Sequence, residues 1–310
     1  MPFESRREFL KGASVVPAAL LASQYGTVLA NSPAEEPKLP QIQLGKHSLS
    51  RLICGANPFS GGSHLSTFVN RAMKEYYTPE QILKTLHRCE EVGVNCWQSG
   101  YGSNFDLYRR YVDEGGKMHF LAIQGRDASV LPKLSAGGCI GVAHHGEATD
   151  KLFKLGRLDE IHDFLKQIRD AGMQVGVSTH MPAVVDAIES KGWDLDYYMT
   201  CIYERHRSAA DLEKLLGQAP IPVGEVYLPL DPPRMFKAIQ QTKRPCLAFK
   251  ILAAGRLSER KEWVERAFRE TFSAIKPSDG VIVGIYNRYS DQPAENAAYV
   301  RRYGTKKAVG

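Results

Sequence analysis

Beyond its first thirty residues this chain has no apolar run long enough to span a bilayer. It also has no CxxC pair, no tract of basic side chains, and no GxGxxG after its first strand-like segment. Each absence removes a class of function. Without a basic tract nothing tracks a phosphate backbone, so nucleic acid is not an expected partner. The formal charge of +6 over 310 residues is mild, and acids and bases are intermixed. Without CxxC a zinc or redox pair has little support. Cys54, Cys96, Cys139, Cys201 and Cys246 each sit in or beside a short apolar run, as small core residues do. Without GxGxxG a Rossmann fold loses its main support. What remains is an ordinary globular composition, 43% apolar and 24% charged, with material for a large core.

The N-terminus is the most specific local feature. Ser5-Arg6-Arg7-Glu8-Phe9-Leu10-Lys11 leads into a run of small apolar residues from Gly12 to Ala30, with Val28-Leu29-Ala30 as a small-residue exit. A charged start, an apolar middle and a small-residue exit describe an export signal, and the paired arginines resemble a twin-arginine signal, an address rather than an anchor. A basic amphipathic helix or an uncleaved anchor are the alternatives. The run is short and is broken by Pro17, Gln24, Tyr25 and Gly26, which favours the signal. The signal implies passage through the twin-arginine translocase, a periplasmic or secreted destination, and folding before export. A chain that folds in a reducing cytoplasm needs no disulfides.

The expected organisation is a signal peptide over residues 1–30, a proline-rich linker over 31–40 and one domain over 41–310. Gln41–Leu44 and Ser48–Leu52 flank Gly45-Lys46-His47 and predict a small hairpin. Eight strand-like runs follow, at Leu52–Ala56, Val94–Gln98, Phe120–Gln124, Ile140–His144, Gln174–His180, Tyr197–Tyr203, Cys246–Leu252 and Val281–Tyr286. Helical patterns separate most of them. Thr78-Pro79-Glu80-Gln81 reads as a helix start with proline at the first helical position. Leu158–Ala171 keeps its apolar residues at helical spacing up to Gly172, and Ser258–Ile275 does so up to Pro277. Eight strand–helix units predict a closed (β/α)8 TIM barrel with a leading β-hairpin. Its chemistry belongs where strands end and the following loops begin.

Those ends carry Asn57; Gln98, Ser99 and Tyr101; Gln124 and Arg126; His144, His145 and Glu147; Ser178, Thr179 and His180; Tyr203, Glu204 and His206; Lys250; and Tyr286 and Asn287. Such a ring is costly to leave unsatisfied beside a core. "LGKHSLSRLICGANPF", "GVNCWQSGYG", "VGVSTH", "FKILAAGRL" and "VGIYN…AEN" together resemble the aldo/keto reductases in order and spacing, over nearly all of the chain past the linker. The resemblance implies a (β/α)8 barrel with a leading hairpin, NADP(H) laid across its top, and carbonyl reduction by a Tyr-Lys-Asp-His set. Carried over, the tyrosine is Tyr101 and the histidine is His144 or His145. Gln98 stands where the family has aspartate, and Gln124 where it has lysine. A tyrosine without such partners titrates near 10 and is a slow acid–base catalyst. For the nucleotide, the resemblance implies Asn57 at the first strand end, Ser178-Thr179 at the carboxamide, Phe249 stacking on the nicotinamide, Glu295-Asn296 at the adenosine end and Arg288 for a 2′-phosphate. Read alone, Phe249 is equally a core residue and Asn296 a helix-start residue.

The same ring contains ligand types for a divalent metal, with His145, His180 and Glu204 as the expected set. Lys250, alone in an apolar strand, reads as a displaced partner for Tyr101, as a Schiff-base lysine, or as an outward residue covering a helix with its stem. Three functions therefore stand open. The first is an exported aldo/keto reductase-like oxidoreductase, NADP(H)-linked, on a small carbonyl or sugar-derived substrate. The second is a metal-dependent, non-redox lyase, isomerase or epimerase on the same barrel. The third is an inactive barrel that only binds.

Overall fold

The computed structural model describes residues 37–125, 127–221 and 225–305. The expected signal peptide, most of the linker and Arg126 lie outside the described residues. Residues Lys38–Gly310 form one compact unit.

The hairpin comes first: β1 (Gln41–Leu44) pairs antiparallel with β2 (His47–Ser50), in the register Gln41↔Ser50 to Leu44↔His47. Eight parallel strands then close a barrel: β3 (Leu52–Gly55), β4 (Cys96–Gly100), β5 (His119–Gln124), β6 (Cys139–His144), β7 (Gln174–Thr179), β8 (Tyr197–Cys201), β9 (Cys246–Phe249) and β10 (Gly280–Gly284). The ring closes where Val281–Gly284 of β10 runs beside Leu52–Gly55 of β3. Helices lie between the strands: α1 (Thr67–Tyr76), α2 (Pro79–Glu91), α3 (Ser103–Asp113), α4 (Leu131–Ala136), α5 (Gly146–Lys154), α6 (Leu158–Asp170), α7 (Pro182–Lys191), α8 (Ala209–Leu216), α9 (Asp231–Gln241), α10 (Lys261–Ala274) and α11 (Gln292–Tyr303). The (β/α)8 barrel with a leading hairpin expected from the sequence is the fold observed.

Alternation along each strand divides the core in two. Ile53, Cys96, Leu121, Ala143, Tyr197, Met199, Leu247 and Ile282 pack inside the barrel, and Ile42, Leu44 and Leu49 of the hairpin join them. The hairpin thus plugs the end at which the strands begin, leaving the opposite mouth for a site. Several strand ends differ from the sequence reading: β9 stops at Phe249 instead of Leu252, so Lys250 lies in the turn after the strand and not within it, and β8 and β10 each stop two residues early, at Cys201 and Gly284. β4 begins two residues later than expected, just after Asn95, whose carbonyl accepts from His119 N at 2.8 Å while its side chain bonds the hairpin. Its Oδ1 accepts from Ser50 N at 2.7 Å and its Nδ2 donates to the Ser48 carbonyl at 2.9 Å. The glycine- and aromatic-rich connection after β3 holds a helix, α1, which Ser66 caps by accepting from Val69 N.

Candidate active site

The mouth is built mainly from the ends of β6 to β9 and from helix α5. His145 caps α5, its ring accepting from Glu147 N at 3.3 Å. Gly146 at the first helical position permits a tight approach: a Cβ there would lie 3.0 Å from both Ser178 Oγ and His180 Cε1. That close approach lays α5 against the end of β7. Glu147 and Asp150 are one turn apart and share a helix face, and each meets a group from the next strands.

Asp150 is buried and accepts from Thr179 Oγ1 at 2.6 Å and from His180 N at 3.2 Å, and His180 Nδ1 lies 2.7 Å from its Oδ2. With the carboxylate accepting, Nδ1 carries the ring proton and Nε2 is left as the base. Burial lowers the pKa of His180, and the positive Arg205 and Lys250 act in the same direction against Asp150. The imidazole is therefore neutral at pH 7. Arg205 Nη1 stands 3.3 Å from His180 Nε2, and its Nη2 bonds Glu147 at 3.2 Å and pairs with Glu225. Glu225 also takes His64 Nδ1 at 2.9 Å and the Tyr227 hydroxyl at 2.6 Å. Although burial opposes ionisation, those two bonds and the charges of Lys250 and Arg205 hold its carboxyl well below the usual range.

Lys250 follows β9 with a left-handed backbone, φ 60°, and Ala253 and Ala254 behind it have φ 48° and 52°. Left-handed backbone at residues other than glycine is strained. Arg256 holds the turn by donating to the carbonyls of Ala253 (3.2 Å), His64 (3.1 Å) and Glu225 (3.0 Å). The Lys250 Nζ is sealed from solvent with no hydrogen-bond partner, and burial lowers its pKa to about 8. Ser178 Oγ, Arg205 Nε and His206 Nε2 are likewise buried and unpartnered. Buried polar atoms are normally satisfied, so these four, all from β7 or the loops after β8 and β9, mark the mouth as the place for a polar ligand.

The other expected site residues are distributed as follows. His144 is buried beside Phe164, with Nδ1 2.7 Å from Thr149 Oγ1, and burial with His145 lowers its pKa to about 4. Gln98 is half-buried on the inward face, two residues beyond Cys96. Gln124 bonds the next backbone amide at 3.0 Å. Tyr101 is exposed, its ring 5.8 Å from Phe105. Phe249 is half-buried with its ring edge-on to His180 at 5.6 Å. Asn57 is exposed and lies 3.2 Å from His64 Nε2. Arg288 is exposed over the ring of Tyr289, and Asn296 is buried in the first turns of α11. Thr179 is committed to Asp150.

Among the described residues Asp150, His180 and His206 form a group whose ligand-type atoms all lie within 4.8 Å of one another. Of the set expected for a metal, only His180 belongs to it. Glu204 turns instead to Arg207 (3.2 Å) and Arg234 (2.5 Å). The donors of the observed group are largely spent. Asp150 is filled by hydrogen bonds, and the free nitrogen of His180 faces a guanidinium, which would repel a cation there. An oriented acid–base pair describes the geometry better than a ligand set. Asp150, Arg205, Glu225 and His64 were not singled out by the sequence reading. The signal that marks Asp150 in the sequence is its place as the second acid of Glu147-x-x-Asp150 on the helix after β6.

No protein-family model matches the chain, and no curated protein matches it in sequence. Solved structures do share its architecture. The chain is similar to the glycerol dehydrogenase AKR11B4 from Gluconobacter oxydans at 12% identity, over 87% of this chain and 91% of that one, with a TM-score of 0.50. It is similar to the holo form of the aldo-keto reductase AKR11C1 from Bacillus halodurans at 12% identity, over 86% and 96%, with a TM-score of 0.51. It is also similar to Gox0644 in its apo form at 9% identity, over 88% and 97%, with a TM-score of 0.53. At these identities the likeness establishes the barrel fold that this chain shares with aldo-keto reductases.

Proposed function

We propose that this protein is an enzyme that moves a proton at a carbon beside a carbonyl in a small polyhydroxylated substrate, giving isomerisation, epimerisation or elimination without hydride transfer. The Asp150–His180 pair carries this reading. A neutral imidazole, held in one tautomer by a buried carboxylate, is a general base. Asp150 stabilises the imidazolium once the proton is taken. Arg205, against the same nitrogen, and the buried Lys250 set positive charge where the carbonyl oxygen becomes negative. The titratable centre lies over β6 to β9, whereas the strand ends where aldo/keto reductases carry aspartate and lysine hold Gln98 and Gln124.

Substrate panels of aldoses, ketoses and keto-sugars in deuterated water test this reading. Nuclear magnetic resonance should show deuterium entering beside the carbonyl with no nucleotide added. Asp150→Asn should slow the exchange by about 10³-fold, since a mis-set tautomer leaves the base poorly oriented. Turnover that requires NADP(H) and oxidises it one for one would replace this reading. Turnover abolished by chelation and restored by a divalent ion would place a cation at Asp150, His180 and His206.

NADP(H)-linked reduction is the second reading. It is favoured by the buried, unpartnered Ser178 Oγ, at the position where the family resemblance puts a nicotinamide carboxamide contact. We also infer export by the twin-arginine route from the N-terminal sequence. A reporter fused behind residues 1–30 should reach the periplasm, and should stay in the cytoplasm when both arginines, Arg6 and Arg7, are lysine.

A further inference from the structure

We propose that Lys250 is a covalent catalyst, its Nζ forming an imine with the substrate carbonyl at the mouth of the barrel beside His180. The inference rests on the proton-transfer reading and supplies its electron sink. Three observations carry it. The Nζ is sealed from solvent without a hydrogen-bond partner, while the residue as a whole is only half-buried. A lysine kept to cover a helix would carry its amine to water, and one kept for an ion pair would be paired, as Arg205 is with Glu147 and Glu225. The backbone that aims the amine is strained at Lys250, Ala253 and Ala254 and is held there by Arg256. Strain is retained where the surroundings over-determine a conformation, and such places cluster at active sites.

Burial, with Arg205 and Arg256 nearby, lowers the amine's pKa to about 8, so near that pH half of it is the free nucleophile. Desolvation of this kind activates Schiff-base lysines. The step balances as written. The neutral amine attacks the carbonyl carbon and a C–N bond forms. The C–O bond breaks and the oxygen leaves as water, carrying one proton from the nitrogen and the one the ammonium gave up on becoming neutral; the nitrogen keeps its last proton, so that ammonium and carbonyl become iminium and water. The iminium then draws electrons from the neighbouring C–H bond, whose proton passes to His180 Nε2. No oxidant or reductant enters.

Reductive trapping on the full chain tests this. The protein is incubated with dihydroxyacetone or pyruvate as probe carbonyls, together with sodium cyanoborohydride, and is read by intact mass and peptide mapping. One reduced adduct per chain on Lys250 is expected, forming faster at pH 8 than at pH 6. Lys250→Arg, which keeps the charge but offers no such nucleophile, should give no adduct and lose deuterium exchange by at least about 10³-fold. An unmodified Lys250, or labelling confined to surface lysines, overturns the proposal. If exchange persists in that case and still depends on His180, the proton-transfer reading stands without the imine. If exchange is also absent, both fail. An adduct on Lys250 without exchange keeps the imine and removes His180 as the base.

Discussion

Single residues in the mouth divide by what they do for stability. Asp150 and Thr179 are saturated with hydrogen bonds and hold the fold and the base together, whereas Lys250 has its ammonium buried with no partner. At neutral pH Lys250 is mostly charged in both the folded and unfolded chain, and folding takes that charge out of water. The fall of its pKa from 10.5 to about 8 corresponds to a penalty of about 3 kcal/mol. Lys250→Met should therefore stabilise the protein by roughly 2–3 kcal/mol at pH 7, while turnover is lost. Denaturant titration at pH 7 measures the first effect, and a neutral or destabilising result would mean that the lysine serves the fold. Legibility at this scale followed chain position. Ser178, His180 and Lys250 stand at strand ends and were readable as site residues. Asp150 sits a turn inside a helix, and Glu225 and His64 sit in loops. Their approach to the mouth depends on Gly146 and on the path of two long connections, which no periodicity encodes.

At the scale of elements, the eight barrel strands and the hairpin were legible because apolar runs of strand length alternate with helical periodicity. What the pattern could not carry was the side-chain bonding of Asn95 to the hairpin, just ahead of β4, which starts at Cys96 and not at Val94. Packing inside the barrel is equally specific. The ring of Tyr197 on β8 fills the space that a side chain at position 176 on β7 would occupy, so a Cβ there would lie 2.4 Å from Tyr197 Cζ. Backbone conformation does not demand glycine at this position, since its φ is outside the left-handed region; the demand is spatial. Gly176→Ala should destabilise by about 1–3 kcal/mol, the usual cost of overpacking, and Tyr197→Leu in the same chain should recover part of that loss. Thermal melts of the two single variants and the double variant measure the coupling. Strict additivity would show that Tyr197 can move aside without help.

For the whole molecule, all six cysteines are free thiols and buried, so no covalent staple supports the barrel, and its pH response must come from ionisable groups. Burial lowers the pKa of His144, His180 and His206, most clearly for His144, whose value falls to about 4. The sign follows from proton counting. Between pH 6.5 and 4 the unfolded chain binds a proton at His144 that the folded chain does not, so unfolding takes up protons and stability rises with pH. This contribution is complete above about pH 6.5 and declines as the pH falls toward 4. For His144 alone the loss reaches about 3 kcal/mol. Glu225, whose carboxyl is held well below its ordinary value, also loses stability on acidification, but only below about pH 4.5, where unfolded carboxylates take up protons. The two sources are thus separated in pH. Free energies of unfolding measured from pH 7 to pH 5 should decline, and His144→Gln, which keeps a polar atom for Thr149 but does not titrate, should flatten that slope while leaving the steeper fall below pH 4.5. An unchanged slope in the variant would assign the upper window to the other histidines whose pKa burial lowers, His47, His119, His180 and His206.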